Sequence, residues 1–360
     1  MSRIQMLKQQ LQQEKMDGIV ITSTWNRRYI SNFTGTAGTV FITQNQAYFI
    51  TDFRYIEQAK KQCTGFQVIQ QDRHAFTEIA KLVKEQKLKK LAFEKDHTTV
   101  SVFEMMQKMI PSQLIGVSNW VEKQRCLKSE QEIQMIQKAA QIADEAFSYI
   151  LKEIRPGITE LEVSHMLDFK MRALGASGVS FDTIVASGIR SALPHGVASE
   201  KVIEIGDMVT LDFGAYYQGY CSDITRTFAL GEPDAQLVEI YDVVLEAQKR
   251  GIACLKPGIE ARDVDAITRT YITEKGYGEY FGHSTGHGIG LEIHELPTLS
   301  HATKQTLLPG MIVTVEPGIY VPQLGGVRIE DDVLITETGY QVLTHSTNCL
   351  LYTSDAADEL

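Results

Sequence analysis

Four carboxylates occupy matching places in two copies of one short sequence pattern. The pattern reads G-x-x-V-T-apolar-acid, followed after a glycine-containing turn by G-x-x-x-acid, and its copies begin at Gly206 and Gly310. The acids in these frames are Asp212, Asp223, Glu316 and Glu330. Carboxylates that converge repel one another and take up protons unless cations are present. The pattern therefore predicts a site for two divalent metal ions, whose combined charge would balance the four carboxylates.

A glycine-rich stretch adds a fifth candidate ligand. Residues 283–290 read HSTGHGIG, and the glycines on either side of His287 allow other groups to approach its ring closely. Four carboxylates and one imidazole form an oxygen-rich ligand set, which favours manganese or cobalt over a thiolate-type zinc site. Two such ions lower the pKa of a bound water and polarise a carbonyl group. The chemistry that these residues predict is hydrolysis of an acyl bond.

The two copies indicate an internal duplication that would bring the acids together. Asp212 and Glu316 are 104 residues apart, a period too long for a solenoid repeat. In residues 209–213 and 313–316, period-two alternation places apolar side chains on one face of a strand, and threonine and the acid on the other. We therefore expect two similar halves that face each other. Each half would contribute one acid from each strand of a hairpin.

The elements around these motifs predict two domains and a tail. Residues 1–122 alternate strand and helix, as in a small α/β domain, and the polar segment 119–128 is the predicted linker. In residues 123–348 helices and strands cluster in blocks, which is typical of an α+β domain. Residues 349–360 read CLLYTSDAADEL and coincide with the conceptual translation of a common sequencing-library adapter. We interpret this tail as non-native or disordered.

Four helices are predicted in the second domain. Two of them begin with capping-box spacing, at Ser129 and at Thr159, each with a glutamate three residues later. The other two cover about residues 235–254 and 261–275. The strands that carry the acids lie between and after these helices.

Composition and charge restrict the class of protein. The 360 residues are 43% hydrophobic and 22% charged, as in ordinary globular proteins. A net charge of -10 without a basic stripe argues against nucleic acid or an anionic membrane as a partner. Five scattered cysteines indicate reduced thiols, and no apolar run approaches the roughly 20 residues that span a bilayer. We expect a cytoplasmic protein whose partners are small molecules.

Five strings carry a resemblance to a known superfamily: FDTIVASGIRSALPHG (181–196), SDITRTF (222–228), TGHGIGLEIHE (285–295), EPGIY (316–320) and GGVRIED (325–331). They resemble the creatinase, methionine aminopeptidase and prolidase superfamily, whose catalytic domain is the duplicated pita-bread fold. An N-terminal α/β domain of this size is similar to those of prolidases and aminopeptidase P. The resemblance implies an α+β protein with a creatinase-like N-terminal domain and a C-terminal pita-bread metallopeptidase domain.

The resemblance also implies how the metal ligands are divided. Asp212 would chelate one metal, His287 and Glu316 would hold the other, and Asp223 and Glu330 would bridge both. The ions would be manganese, with cobalt or zinc as alternatives. Glu316 would also take the proton from the attacking water and pass it to the leaving nitrogen.

Four further residues receive roles from the resemblance. His195 and His294 would line the substrate pocket and bond to the scissile carbonyl or its tetrahedral intermediate, and His283 would lie near the prolyl side, so all three are catalytic candidates. Arg328 would orient Glu330 or pair with a substrate carboxylate. A structural histidine or an internal salt bridge is the alternative for each.

Several functions share this resemblance. The first is a dinuclear-metal Xaa-Pro dipeptidase (prolidase), acting on Xaa-Pro dipeptides or short peptides, commonly as a homodimer. The alternative is an Xaa-Pro aminopeptidase (aminopeptidase P) acting on longer peptides. A methionine aminopeptidase is disfavoured because its catalytic domain does not require the N-terminal domain. A creatinase-like hydrolase or a metal-free binding module is disfavoured because all five candidate ligands are present.

Overall fold

The computed structural model describes residues 1–350 and divides into two compact units, one of residues 1–125 and one that begins at Cys126. The predicted tail 349–360 lies outside the described residues, apart from its first two. No helix among residues 1–350 is both long and apolar enough to cross a membrane.

The N-terminal unit is a six-stranded mixed sheet with helices. Its strands run in the order β4-β3-β2-β1-β5-β6 and are β1 (Gly18–Ile21), β2 (Thr39–Thr43), β3 (Ala47–Thr51), β4 (Gln67–Gln70), β5 (Lys90–Glu94) and β6 (Gln113–Val117). The helices are α1 (Arg3–Gln13), α2 (Thr24–Ser31), α3 (Ile56–Gln62), α4 (Ala75–Gln86), α5 (Val100–Met109) and α6 (Glu122–Arg125). β2 and β3 pair antiparallel as a hairpin, and β1 pairs parallel with β5.

The polar segment 119–128 differs from an open linker. It contains α6. Arg125 is buried, and its Nη1 donates to Asn26 Oδ1 at 2.8 Å. Lys128 is also buried, and its ammonium lies 3.2 Å from Glu295 Oε2. Polar composition predicted a linker here, but Arg125 and Lys128 are buried with partners far away in the sequence.

Between Cys126 and residue 350, the second unit has the α-helices α7 (Glu130–Glu153), α8 (Glu160–Ala173), α9 (Ala235–Ala253) and α10 (Ala261–Glu274). Both predicted capping boxes are present, since Ser129 bonds reciprocally with Glu132 and Thr159 with Glu162. The buried stripe of α7 packs with residues of α8 and β9 in one apolar core. α7 and α8 therefore begin where the sequence predicts, and they pack against β9.

The strands of the second unit form several small sheets. They are β7 (Gly178–Val179), β8 (Ile184–Ser187), β9 (Met208–Phe213), β10 (Ala215–Tyr217), β11 (Tyr220–Cys221), β12 (Ile224–Ala229), β13 (Gly286–Gly288), β14 (Glu295–Leu299), β15 (Ile312–Val315), β16 (Gly318–Val321), β17 (Gly325–Arg328), β18 (Asp331–Ile335) and β19 (Tyr340–Val342). The central sheets have the orders β12-β9-β8 and β14-β13-β15-β18-β19, and β16 pairs with β17.

The duplicated pattern forms two matching antiparallel pairs, β9 with β12 and β15 with β18. Each copy begins at a glycine with positive φ, 93° at Gly206 and 87° at Gly310, a backbone region that other residues rarely adopt. Val209, Leu211 and Phe213 face the apolar core, as the alternation predicts. The two halves thus repeat the same strand pairing.

The predicted placement of one acid on each strand is wrong in detail. Only Asp212 lies within a strand. Glu316 follows the last residue of β15, while Asp223 and Glu330 immediately precede β12 and β18. Three of the four acids therefore lie at the ends of strands, just outside the regular pairing.

Candidate metal centre and active site

Three of the five predicted ligands converge closely. Ligand atoms of Asp223, His287 and Glu330 all lie within 4.8 Å of one another. Glu316 joins them through His287, whose Nε2 is 3.3 Å from Glu316 Oε1 and 3.7 Å from Asp223 Oδ2. Residues from both copies of the pattern therefore meet around one imidazole.

The tautomer of His287 follows from its neighbours. Its Nδ1 lies 3.0 Å from the carbonyl oxygen of Gly288, and a carbonyl can only accept, so Nδ1 carries the proton. Nε2 then presents a lone pair to the acids, as a metal-ligating histidine requires. Burial lowers the pKa of His287, which favours the same neutral form.

The glycines beside His287 are needed by the backbone that packs against them. A Cβ on Gly286 would lie 1.9 Å from the carbonyl oxygen of Thr314, and a Cβ on Gly288 would lie 2.3 Å from that of Leu296. The sequence predicts close approach at these glycines. The groups that approach are backbone atoms of the flanking strands, which fix where the imidazole can lie.

Burial and mutual repulsion make the acids unfavourable as bare anions. Burial raises the pKa of Asp223 well above its usual value, and the charges of Glu330 and Asp212 raise it further. The pKa of Glu330 is raised in the same way, by burial and then by Glu316 and Asp212. Burial also raises the pKa of Glu316 to about 7, although Arg328 opposes this shift.

Each of three acids has a buried carboxylate oxygen without a hydrogen-bond partner among the described residues: Asp212 Oδ1, Asp223 Oδ1 and Glu330 Oε1. Buried charged groups are normally paired or coordinate a metal. Unpaired hard oxygens beside a neutral imidazole lone pair suit divalent cations. The residues present therefore fit a metal centre.

Arg328 contacts an acid of the other half. The resemblance implies that it orients Glu330 or pairs with a substrate carboxylate, with an internal salt bridge as the alternative. Its Nη2 donates to Asp212 Oδ2 at 2.5 Å, and its Nε donates to Thr225 Oγ1 at 3.1 Å. The Thr225 hydroxyl in turn donates to Glu330 Oε2 at 2.6 Å. Arg328 therefore acts directly on the acid of the other half, and reaches Glu330 only through Thr225.

Comparison with known proteins agrees with this geometry. The model of the metallopeptidase family M24 matches residues 134–337, and that of the creatinase/prolidase N-terminal domain matches residues 3–127. The chain belongs to metallopeptidase family M24. The predicted superfamily, the α+β class with a creatinase-like N-terminal domain and a pita-bread domain, and the prediction of a metallopeptidase are confirmed. Membership of M24 implies a divalent metal.

Several M24 relatives match over nearly the whole chain. An Xaa-Pro dipeptidase structure from Bacillus anthracis is 57% identical with a TM-score of 0.95, covering 97% of this chain and 98% of that chain. An X-Pro aminopeptidase structure from Thermotoga maritima is 41% identical with a TM-score of 0.90, covering 98% and 100%. The Xaa-Pro dipeptidase of Pyrococcus horikoshii is 42% identical over 95% of this chain and 96% of its own length.

The candidate histidines of this M24 chain differ in their surroundings. The ring of His294 is exposed and lies 4.4 Å from the ring of His287 in an edge contact. His195 is also exposed. Burial lowers the pKa of His294, and the neighbouring rings of His287 and then His195 lower it further. His294 therefore lies beside the imidazole of His287, and both His294 and His195 are exposed.

Both nitrogens of His283 are engaged. Nδ1 lies 2.8 Å from the carbonyl oxygen of Ser284, and Nε2 lies 2.8 Å from the hydroxyl of Tyr320. Arg328 Nη1 donates to the same hydroxyl at 2.8 Å. Because the Ser284 carbonyl can only accept, Nδ1 carries the proton of the neutral ring, and the Tyr320 hydroxyl donates to Nε2. Burial, followed by the charge of Arg328, lowers the pKa of His283 to about 4, and the ring is neutral at pH 7.

Two residues of the M24 site have no role in the sequence-based prediction. Tyr320 links Arg328 to His283, and its only sequence signal is its place in the string EPGIY. Asp332 is fully buried, and its Oδ2 accepts the backbone N–H of Asp223 at 2.9 Å. Both contacts join residues far apart in the chain or across a turn, so spacing alone could not indicate them.

Proposed function

We propose that this M24 peptidase hydrolyses the peptide bond before proline and acts as an Xaa-Pro dipeptidase. The observation that carries the proposal is the convergence of acids from both halves on the lone pair of His287. Full-length similarity to the Xaa-Pro dipeptidase of Bacillus anthracis supports the substrate class. A bond to proline nitrogen is a tertiary amide within a constrained ring, so a dedicated site is needed.

The proposed cofactor is a pair of divalent ions, manganese in preference to cobalt or zinc. The residues that would hold them are Asp212, Asp223, His287, Glu316 and Glu330, and the unpaired buried oxygens support this set. When bound, such ions supply Lewis acidity that polarises a carbonyl and lowers the pKa of water.

Glu316 is the proposed proton carrier. Its Oε1 accepts from the Thr314 hydroxyl at 3.1 Å, which fixes the carboxylate beside the other acids. A carboxylate held at the metal centre can accept a proton from the attacking water and later release it. The proton passes to the proline nitrogen, which leaves as an amine.

His195 and His294 are the proposed donors to the scissile carbonyl oxygen and to the charge that develops on it. Their exposure supports contact with substrate. Both nitrogens of His283 are already engaged. Its proposed role is therefore to accept the hydrogen bond of the Tyr320 hydroxyl, which in turn positions Arg328. Arg328 is buried and occupied by Asp212. Its pairing with a substrate carboxylate stays a prediction, and orienting Asp212 is the role that these contacts favour.

An Xaa-Pro aminopeptidase is the second candidate, because an X-Pro aminopeptidase from Thermotoga maritima matches this chain over comparable lengths. The two activities differ in the substrate beyond proline. A dipeptidase requires the free prolyl carboxylate, whereas an aminopeptidase accepts a longer peptide. The metal-binding residues do not discriminate between them.

The test is a panel of Xaa-Pro dipeptides and matched Xaa-Pro-Xaa tripeptides, each with and without manganese. A dipeptidase gives a kcat/KM for the dipeptide that exceeds that for the tripeptide by at least about tenfold. A preference for the tripeptide establishes the aminopeptidase instead. Absence of cleavage of both, with manganese bound, contradicts the proposed function and favours a creatinase-like hydrolase or a binding module.

The proposed assembly is a homodimer, supported by the resemblance to prolidases. Light scattering after gel filtration tests it, and a mass equal to one chain contradicts it.

A further inference from the structure

One buried carboxylate outside the metal centre contacts both ends of the segment that carries His195. This segment, residues 187–199, is called the His195 loop here. At its start, the backbone N–H and the hydroxyl of Ser187 both donate to Glu160 Oε1 at 2.9 Å. At its end, the N–H and hydroxyl of Ser199 donate to Glu160 Oε2 at 3.2 and 2.6 Å. Glu160 therefore ties the two stems of the loop together.

A third donor comes from inside the loop. Arg190 Nε lies 3.0 Å from Glu160 Oε2 and 3.3 Å from Oε1, and its Nη2 donates to the carbonyl oxygen of Val197 at 2.8 Å. Glu160 itself is fully buried. Hydrogen bonds to an ionised carboxylate are about twice as strong as neutral ones. The carboxylate thus organises both stems and the interior of the loop.

The opposite side of the loop rests on the strand that carries Arg328. The backbone N–H of Gly326 donates to Ser191 Oγ at 2.8 Å. A Cβ on Gly326 would lie 2.4 Å from the carbonyl oxygen of Ser191, so the contact is close. The loop therefore lies between Glu160 and β17, the strand whose Arg328 donates to Asp212.

We propose that Glu160 is a positioning residue, which sets His195 at the scissile carbonyl by holding the two stems of the His195 loop. This inference rests on the proposed function. Glu160 acts through His195 and touches neither substrate nor metal ligands. If Glu160 had only a structural role, its substitution would lower stability, and the effect on kcat would not depend on His195.

The variant Glu160→Gln tests this assignment. The amide keeps the size of the side chain, but its NH2 would face a backbone N–H and Arg190 Nε, which can only donate, and could keep only the contact with a serine hydroxyl. With a Xaa-Pro dipeptide and saturating manganese, we expect kcat to fall by about 10- to 100-fold, as small misplacements of a reacting group do. KM and the manganese content per chain stay within about twofold of the wild type.

A double-mutant cycle with His195→Ala decides between positioning and structure. If Glu160 acts through His195, Glu160→Gln changes kcat by less than about twofold in the His195→Ala background. The same loss in both backgrounds overturns the inference. Glu162→Gln is the matched control, because Glu162 caps the same helix and is exposed. Glu162→Gln should leave kcat unchanged in both the wild-type and the His195→Ala backgrounds.

Hydrogen exchange provides a readout that does not need activity. Glu160→Gln should accelerate exchange of the backbone N–H groups of residues 188–198 and leave β9 protected, and Ser199→Ala should do so at the second stem if Glu160→Gln folds poorly. Unchanged exchange in the loop overturns the inference. A wild type that binds manganese but cleaves no Xaa-Pro bond contradicts the proposed function. In that case hydrogen exchange still tests whether Glu160 holds the two stems of the His195 loop.

Discussion

The guanidinium of Arg328 donates to the carboxylate of Asp212 over 2.5 Å, with both side chains buried. The two residues are 116 positions apart and belong to different copies of the duplicated pattern. This contact occupies one oxygen of Asp212 and leaves Oδ1 without a partner among the described residues. The contact therefore fixes the orientation of the Asp212 carboxylate, whose Oδ1 would be available to a metal ion.

Replacing Arg328 by lysine should weaken the metal centre. Lysine keeps the charge but lacks the planar fork that reaches Asp212, Tyr320 and Thr225 together. We expect a roughly 10- to 100-fold loss of metal affinity or activity, measured as the manganese concentration for half-activation. Arg262→Lys, at an exposed arginine, is the control. Wild-type activation by Arg328→Lys would show that the contact does not orient Asp212.

Without metal, the folded protein should lose stability as the pH rises above about 6.5. Glu316 has its pKa raised to about 7, and those of Asp223 and Glu330 are also raised, so the folded state retains protons that the unfolded state has released. The free energy of unfolding then falls with pH. His283, with its pKa lowered to about 4, has the opposite effect, which is complete once the pH exceeds the usual histidine value of about 6.5.

The measurement is the melting temperature of the metal-free protein from pH 6.5 to 8, repeated with saturating manganese. We expect a decline without metal and a smaller decline with it, because bound cations stabilise the ionised acids. Glu316→Gln should reduce the decline of the metal-free protein. A metal-free melting temperature that rises over this range would contradict the assigned pKa directions.

Adding one methyl group at Gly286 should displace His287. A Cβ there would lie 1.9 Å from the Thr314 carbonyl oxygen, and such overpacking costs about 1 to 3 kcal/mol. Gly286→Ala should lower the free energy of unfolding by that amount and weaken manganese binding at least tenfold. Gly282→Ala is the matched control, since a Cβ at Gly282 meets nothing within 4 Å. Equal manganese binding by both variants would exclude the packing argument.

The sequence predicted what depends on local periodicity and repetition. Capping-box spacing located the starts of α7 and α8, and the repeated pattern indicated that β9 and β15 are equivalent strands, with Asp212 in β9 and Glu316 directly after β15. These signals are local because a helix start or a strand face is determined by a few neighbouring residues. The family strings then identified the M24 family.

The remaining features depend on contacts across the fold. Arg328 pairs with Asp212 rather than Glu330 because the two halves face each other, which spacing within one strand cannot show. In the sequence, Glu160 resembles an ordinary acid in the first turn of a helix. In the structure it is fully buried and accepts hydrogen bonds from both stems of the His195 loop. Tertiary structure, which local pattern does not encode, determines these roles.

The most direct test of the central claim is the rate of Ala-Pro hydrolysis by metal-free protein as manganese is added, compared between wild type and Asp223→Ala. Asp223 belongs to the close ligand cluster with His287 and Glu330, whereas Glu337, the site of a control Glu337→Ala variant, is exposed in a turn. The rate should rise with manganese for wild type and Glu337→Ala and stay near background for Asp223→Ala. Wild-type rates from Asp223→Ala, or no manganese-dependent cleavage by the wild type, would contradict the account.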